Sequence, residues 1–99
     1  MITKSDAFNH LLNMARGTSR GEIIARDFLL WWWNEHLFGV FDFHRLVYLD
    51  GKTFKAIYEL SQDIFLSKTT YPLVDSEFYS DLQELVNWEL DRQNRLKSQ

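Results

Sequence analysis

Three histidines are the side chains of this sequence best suited to bind a metal or to transfer a proton: His10, His36 and His44. No two of them are spaced i, i+4, so no helix face presents two imidazoles to one ion, and His-Glu-x-x-His does not occur. The chain has no cysteine, which removes thiolate ligands and thiolate nucleophiles. We therefore predict neither a metal site nor a cofactor.

Serine nucleophiles and paired carboxylates give no stronger signal. No Gly-x-Ser-x-Gly elbow occurs, and the four glycines are too scattered to form a phosphate-binding loop. The carboxylate of most interest is Asp27, because it lies beside Phe28 and Trp31 in an apolar segment. The position of this carboxylate needs no catalytic role. It is explained by an ion pair with an arginine on the same turn, Arg20 or Arg26, or by simple exposure to solvent. We predict no catalytic residue and no enzymatic activity.

Length and composition indicate one small domain. The chain has 99 residues, and we predict a single helical domain over residues 1–99 with the last few residues frayed. Aromatic residues make up 16% of it, and each buries roughly 150–250 Å² when packed, so the core needs no disulfides. The absence of cysteine fits a reducing compartment, and charged residues interrupt the most apolar run, 23–41. We predict a cytoplasmic protein without membrane association.

The spacing of apolar residues predicts an all-α fold, a compact bundle of four to five helices around a central aromatic-rich helix. The predicted helices cover about residues 5–16, 20–37, 43–49, 52–67 and 76–95. Pro72 predicts a loop near residues 67–72.

Two of these helices have inner faces that the sequence predicts in detail. The helix at 43–49 is predicted to turn Phe43, Leu46 and Val47 inward. The helix at 52–67 is predicted to pack through one stripe: Phe54, Ile57, Tyr58, Ser61, Ile64 and Phe65.

Five residues form a predicted structural motif at the ends of the central helix. Ser19 and Glu22 have the spacing of a capping box, in which each side chain accepts a hydrogen bond from the other residue's amide. Gly39 is predicted to end the central helix. Asn34 is suited to hydrogen-bond the turn backbone, and Asp42 to cap the helix that follows. This interpretation of the motif needs no ligand.

The tryptophan run of the central helix has two interpretations. Consecutive helical residues point about 100° apart, so Trp31, Trp32 and Trp33 together spread over roughly 200°. One neighbouring helix cannot cover that arc. Either the central helix is surrounded on several sides, or one ring is left for a partner. We take Trp31, Trp32, Trp33 and Phe38 as the candidate interaction surface.

The same residues resemble a known family. The segments that carry the resemblance are Phe28-Leu-Leu-Trp-Trp-Trp-Asn34, Gly39-Val-Phe-Asp42, Leu46, Leu49-Asp50 and Tyr71-Pro72. Together, over about residues 20–75, they resemble short proteobacterial proteins of unknown function, often found on mobile elements. That family shows Phe-Leu-Leu-x-Trp-Trp-Asn, Gly-Gly-Phe-Asp and a late Tyr-Pro. Val40 replaces its second glycine, and Trp31 stands where it tolerates a small residue. The resemblance implies no activity.

Our first functional hypothesis is a non-enzymatic protein–protein interaction module that binds another protein or itself, as a homodimer. It rests on an aromatic excess that 99 residues do not easily hide. A mobile-element protein that modulates a host system would fit this hypothesis. The alternative is an enzyme or small-ligand binder with a cleft beside the central helix, where Asp27, His36 or His44 would supply the polar groups.

A second alternative is weak nucleic-acid binding through Arg16, Arg20 and Arg26. Such binding requires a concentrated basic face, whereas this chain has a net charge of −3 and no basic segment. Nucleic acid is therefore the least favoured partner.

Overall fold

The structure, a computed structural model, describes residues 6–67 and 78–97, apart from the side chains at 63 and 65–67. These residues form five α-helices and one 3₁₀ helix, without a strand, and confirm the predicted all-α bundle. The elements are α1 (Asp6–Met14), α2 (Arg20–Trp33), α3 (Glu35–Phe38), the 3₁₀ helix (Phe43–Tyr48), α4 (Gly51–Ser67) and α5 (Tyr79–Lys97). The predicted loop with Pro72 and the frayed last residues, 98–99, lie outside the described residues.

The central position predicted for the aromatic-rich helix is confirmed. Among the described elements, α2 packs against each of the other five, and α1 and α4 also pack against each other. The middle of the core is a cluster of three buried rings from different parts of the chain. The ring of Phe78, just before α5, lies 4.6 Å from Phe8 of α1 and 5.3 Å from Trp32 of α2.

The start of α2 is a capping box. The Ser19 amide donates to the Glu22 carboxylate at 3.1 Å, and the Glu22 amide donates to the Ser19 hydroxyl at 3.3 Å. Hydrogen bonds from the side chain and backbone of Ser19 lower the pKa of Glu22. A Cβ on Gly17 would collide with that carboxylate, so a larger residue at position 17 would require the Glu22 side chain to move out of the capping box.

The end predicted for the central helix, near residue 37, is wrong. α2 ends at Trp33 because Asn34 adopts an extended backbone, with φ −166° and ψ 101°. The side-chain oxygen of Asn34 accepts hydrogen bonds from the amides of His36 and Leu37, at 2.9 and 3.3 Å, and so caps the short helix α3. Gly39, with φ 90°, ends α3 rather than α2.

A buried arginine links three parts of the bundle. Arg26 donates from Nη1 to the carbonyl oxygens of Ala15 and Gly17, at 3.4 and 3.2 Å, and so satisfies backbone groups at the exit of α1. Its Nε lies 3.7 Å from the carboxylate of Glu89 on α5, which is also buried. The guanidinium lies 5.4 Å from the Trp88 ring centroid, within the range of a cation–π contact.

Glu89 is held as an anion by its own helix. Its carboxylate accepts two hydrogen bonds from Arg92, at 2.7 and 2.9 Å, and one from Gln93 at 2.9 Å. Burial raises the pKa of Glu89, but these hydrogen bonds and the charges of Arg92 and Arg26 together outweigh it. The net effect lowers its pKa below the usual 4.5.

Ser19→Ala is expected to lower the free energy of unfolding by about 1 kcal/mol, because it removes the side-chain acceptor of the capping box. Urea denaturation followed by circular dichroism measures this loss. Ser80→Ala changes an exposed serine of α5 and is the matched control, for which no loss is expected. Equal stabilities of the two variants would contradict the role assigned to the capping box.

Glu89→Gln is expected to lower the free energy of unfolding at neutral pH by about 2–3 kcal/mol, because Arg26 and Arg92 lose their anionic partner. Since folding lowers the pKa of Glu89, its contribution is complete above pH 4.5 and is lost as the pH falls below that value. The difference in the free energy of unfolding between Glu89→Gln and the wild type should therefore shrink as the pH falls below 4.5. Chemical denaturation at neutral and acidic pH tests this expectation. Glu84→Gln, on the exposed side of α5, is the control.

Candidate functional site

The tryptophan run is covered from several sides. Trp32 is buried in the core and offers no surface to a partner. Trp31 and Trp33 are half-buried, and the ring of Trp33 lies 4.9 Å from that of Tyr79. Phe38, the fourth residue of the candidate interaction surface, is also half-buried. The helix is therefore surrounded, which was the first of the two interpretations of the 200° arc.

A series of ring contacts leads from this helix to the surface. Phe28 is buried, and its ring centroid is 5.5 Å from that of Phe41 in the following loop. Phe41 is 5.0 Å from Phe43, which also packs edge-on against Trp31 at 6.1 Å. Phe43 is 48% exposed. The most exposed ring of this series is therefore Phe43, whereas Trp31 is half-buried.

The inward face predicted for residues 43–49 is wrong in two of its three positions. Phe43 is half exposed and Val47 is 80% exposed, whereas Leu46 is half-buried against the core. The segment is a 3₁₀ helix that begins at Phe43 and is capped by Asp42, whose carboxylate accepts a hydrogen bond from the His44 backbone amide at 2.9 Å. With three residues per turn, positions 43 and 46 align while position 47 turns away. An α-helical pattern therefore misplaces Val47.

The inner face predicted for α4 is also partly wrong, because the helix is rotated. The residues buried on it are Thr53, Ala56, Ile57 and Leu60, and this stripe packs towards α1. Phe54 and Tyr58 point to solvent, although the sequence pattern placed them inside. The sequence of α4 has two apolar stripes, the predicted one and the one that contains Thr53 and Ala56. The small side chains of the latter stripe allow α1 to pack more closely. Leu60 extends this stripe and is the signal that could have identified it as the buried face.

The contacts of Thr53 explain why the face of α4 with small residues packs against α1. The Thr53 hydroxyl, buried between α1 and α4, donates to the Met14 sulfur at 3.4 Å and lies 3.1 Å from Nε2 of His10. A bulky aromatic side chain at this position would separate the two helices.

The exposed aromatic residues border an apolar groove between the 3₁₀ helix and α4, which we call the aromatic groove. It has a volume of about 160 Å³ and is lined by Phe43, Leu46, Phe54, Ile57, Tyr58 and Ser61. The Tyr58 hydroxyl accepts a hydrogen bond from the side-chain Nε2 of Gln62 at 3.1 Å, and the ring of Tyr58 forms a wall of the groove. The groove offers carbon surface to a ligand and almost no polar group.

A second concavity, the polar cleft, lies beside α2 and has a volume of about 260 Å³. Asp27 and Glu89 line it, together with Arg45 of the 3₁₀ helix and the turn around Gly39. Asp27 pairs with Arg45 at 2.8 Å, rather than with the neighbouring arginines that the sequence suggested. Of the three polar residues predicted for a ligand cleft, only Asp27 lines it. His36 and His44 are exposed elsewhere.

The three arginines considered for nucleic acid do not form one patch. Arg20 lies over the ring of Tyr48, with its guanidinium 4.5 Å from the centroid. Arg16 and Arg26 both lie near Trp88, at 5.9 and 5.4 Å, and Arg26 is buried. The two arginines that reach solvent therefore sit on different aromatic rings.

Within residues 6–67 and 78–97, no group of three His, Asp or Glu side chains converges on a point where a metal ion could be held. No helix among them has the length and apolar character needed to cross a bilayer.

Residues 5–89 match a family described as a family of unknown function, DUF7673. No curated protein and no solved structure matches the chain. The match confirms the resemblance to a family of unknown function and extends beyond residues 20–75, on which that resemblance was based. Because it covers most of the sequence, the chain belongs to the DUF7673 family of unknown function.

Proposed function

We propose that this protein is a non-enzymatic interaction module, and that its docking site is the aromatic groove. The observation that carries the proposal is the exposure of Phe43, Phe54 and Tyr58 around one apolar concavity. Aromatic side chains in such settings supply most of the binding energy of protein interfaces. Its occupant is an amphipathic α-helix of another protein chain.

The size of the exposed surface supports binding. Three aromatic side chains that line the groove are each about half exposed: Phe43, Phe54 and Tyr58. At roughly 200 Å² each, they leave about 300 Å² of aromatic surface in water. A patch of this size is within the range of the largest on a monomer, where it often has a function.

The shape of the groove favours a helix as the occupant. The groove runs between two helical elements, and its volume fits one or two large apolar side chains rather than a broad flat surface. An amphipathic helix presents such anchors at i and i+4 along one side. It satisfies its own backbone hydrogen bonds, which a groove without polar groups cannot do.

The alternatives receive less support. In the polar cleft, Asp27 is paired with Arg45, and Glu89 with Arg92 and Arg26, so a charged ligand would have to displace existing partners. Nucleic-acid binding would need the dispersed arginines to act together. Neither an enzyme nor a nucleic-acid binder is our proposal.

The biological setting that we propose follows from the sequence. The family resemblance suggests a bacterial protein, often on mobile elements, that could act on a host system. The lack of cysteine fits a cytoplasmic site of action. These points add context to the proposal and assign no role to a residue.

A labelled helical peptide tests the groove. We expect a designed amphipathic helix of about 17 residues, with Phe and Leu at i, i+4 and i+7, to bind the wild type in fluorescence polarisation. Tyr58→Ser should weaken this binding about tenfold or more, because a half-exposed aromatic anchor is lost.

The matched control is Leu37→Ser. Leu37 is 56% exposed, close to the 54% of Tyr58, but it lies on α3 and not in the groove. The Leu37→Ser variant should bind the peptide as tightly as the wild type does. Peptide binding that is absent, or equally affected by both substitutions, would overturn the proposed function.

A further inference from the structure

We infer that the helix received by the aromatic groove is α4 of a second copy of this chain, so that the protein forms a two-fold symmetric dimer. The inference rests on the proposed function and names its partner.

The helix α4 is both a wall of the groove and a helix of the kind that the groove fits. Phe54 and Tyr58 line the groove, and they also project to solvent at i and i+4. A two-fold interface requires the same patch on both copies, able to complement itself. In an antiparallel pair of α4 helices, Tyr58 of each copy lies near Phe54 and the groove of the other.

The charge pattern beside the aromatic residues also suits a second copy of α4. Lys55 and Glu59 are exposed, one turn apart, and their nitrogen and oxygen atoms are 3.9 Å apart. They flank the outward face of α4 on one side, about 6 Å apart along the axis. A two-fold axis between antiparallel helices places Lys55 of one copy opposite Glu59 of the other, twice. This edge of α4 therefore has no net charge and complements itself across the two-fold axis. A strongly charged partner would instead require an edge of α4 whose charges all have one sign.

The exposed area at the groove is small. The exposed parts of Phe43, Phe54 and Tyr58 amount to about 600 Å² over two copies, taking roughly 200 Å² for each side chain. The flanking side chains of Lys55 and Glu59 enlarge this area. An interface smaller than roughly 1,000 Å² is typical of a transient complex. We therefore expect a weak dimer with a dissociation constant in the micromolar range.

Sedimentation equilibrium of the full chain tests the dimer. The wild type and the control Leu37→Ser should shift from monomer to dimer as the concentration rises through the micromolar range. Tyr58→Ser should stay monomeric over that range while circular dichroism shows the same helical content. A wild type that is monomeric at all these concentrations would overturn the inference, and so would a dimer that Tyr58→Ser leaves intact.

Charge reversal tests the antiparallel arrangement. Lys55→Glu places two glutamates opposite each other, and Glu59→Lys places two lysines, so each variant alone should dimerise at least fivefold more weakly than the wild type. Mixed in equal amounts, the two variants should form a heterodimer, because both cross-pairs become attractive. The double substitution in one chain should restore the homodimer. Variants that dimerise like the wild type, or a mixture that does not recover, would overturn this arrangement.

The outcomes separate the inference from the proposed function. If the wild type is monomeric but binds the designed peptide through Tyr58, the groove receives a helix of another protein and only the dimer is overturned. If the wild type is monomeric and the peptide does not bind, both proposals are overturned.

Discussion

The burial of one charged side chain, Arg26, constrains the rest of the bundle. A guanidinium out of water requires hydrogen-bond acceptors and an anion, and these come from two separate elements. The carbonyl oxygens at the exit of α1 accept from it, and Glu89 of α5 lies beside it. The same contacts bring Gly17 against α2, where its missing side chain leaves room for Glu22 of the capping box. Arg26 therefore fixes how α1 enters the core.

The position of α1 in turn determines which surface of α4 remains exposed. α1 packs closely on α4 through the small residues Thr53 and Ala56. Because α4 carries two apolar stripes, burying the small-residue stripe turns Phe54 and Tyr58 to solvent. The 3₁₀ helix adds Phe43 at the end of a series of rings that begins in the core. The aromatic groove is thus a consequence of how the core is packed.

Local hydrogen-bond chemistry could be predicted from the sequence, whereas long-range packing could not. The capping box at Ser19 needs only residues within one turn. By contrast, the break at Asn34 interrupts a continuous apolar pattern, since an asparagine side chain can cap a new helix from inside such a run. The rotation of α4 depends on α1, which is distant in the chain. For the same reason the partner of Asp27, Arg45, could not be found by looking along one helix.

Hydrogen bonds hold three of the described carboxyl groups as anions. A general acid that works near neutral pH has its pKa raised, usually by burial without a partner. Glu22, Asp50 and Glu89 are shifted the other way, since hydrogen bonds lower the pKa of each and hold it as an anion. These groups stabilise helix ends and helix packing. The apolar groove differs from these groups, because the binding of a helix there, as we propose, would remove carbon surface from water without breaking a charged pair.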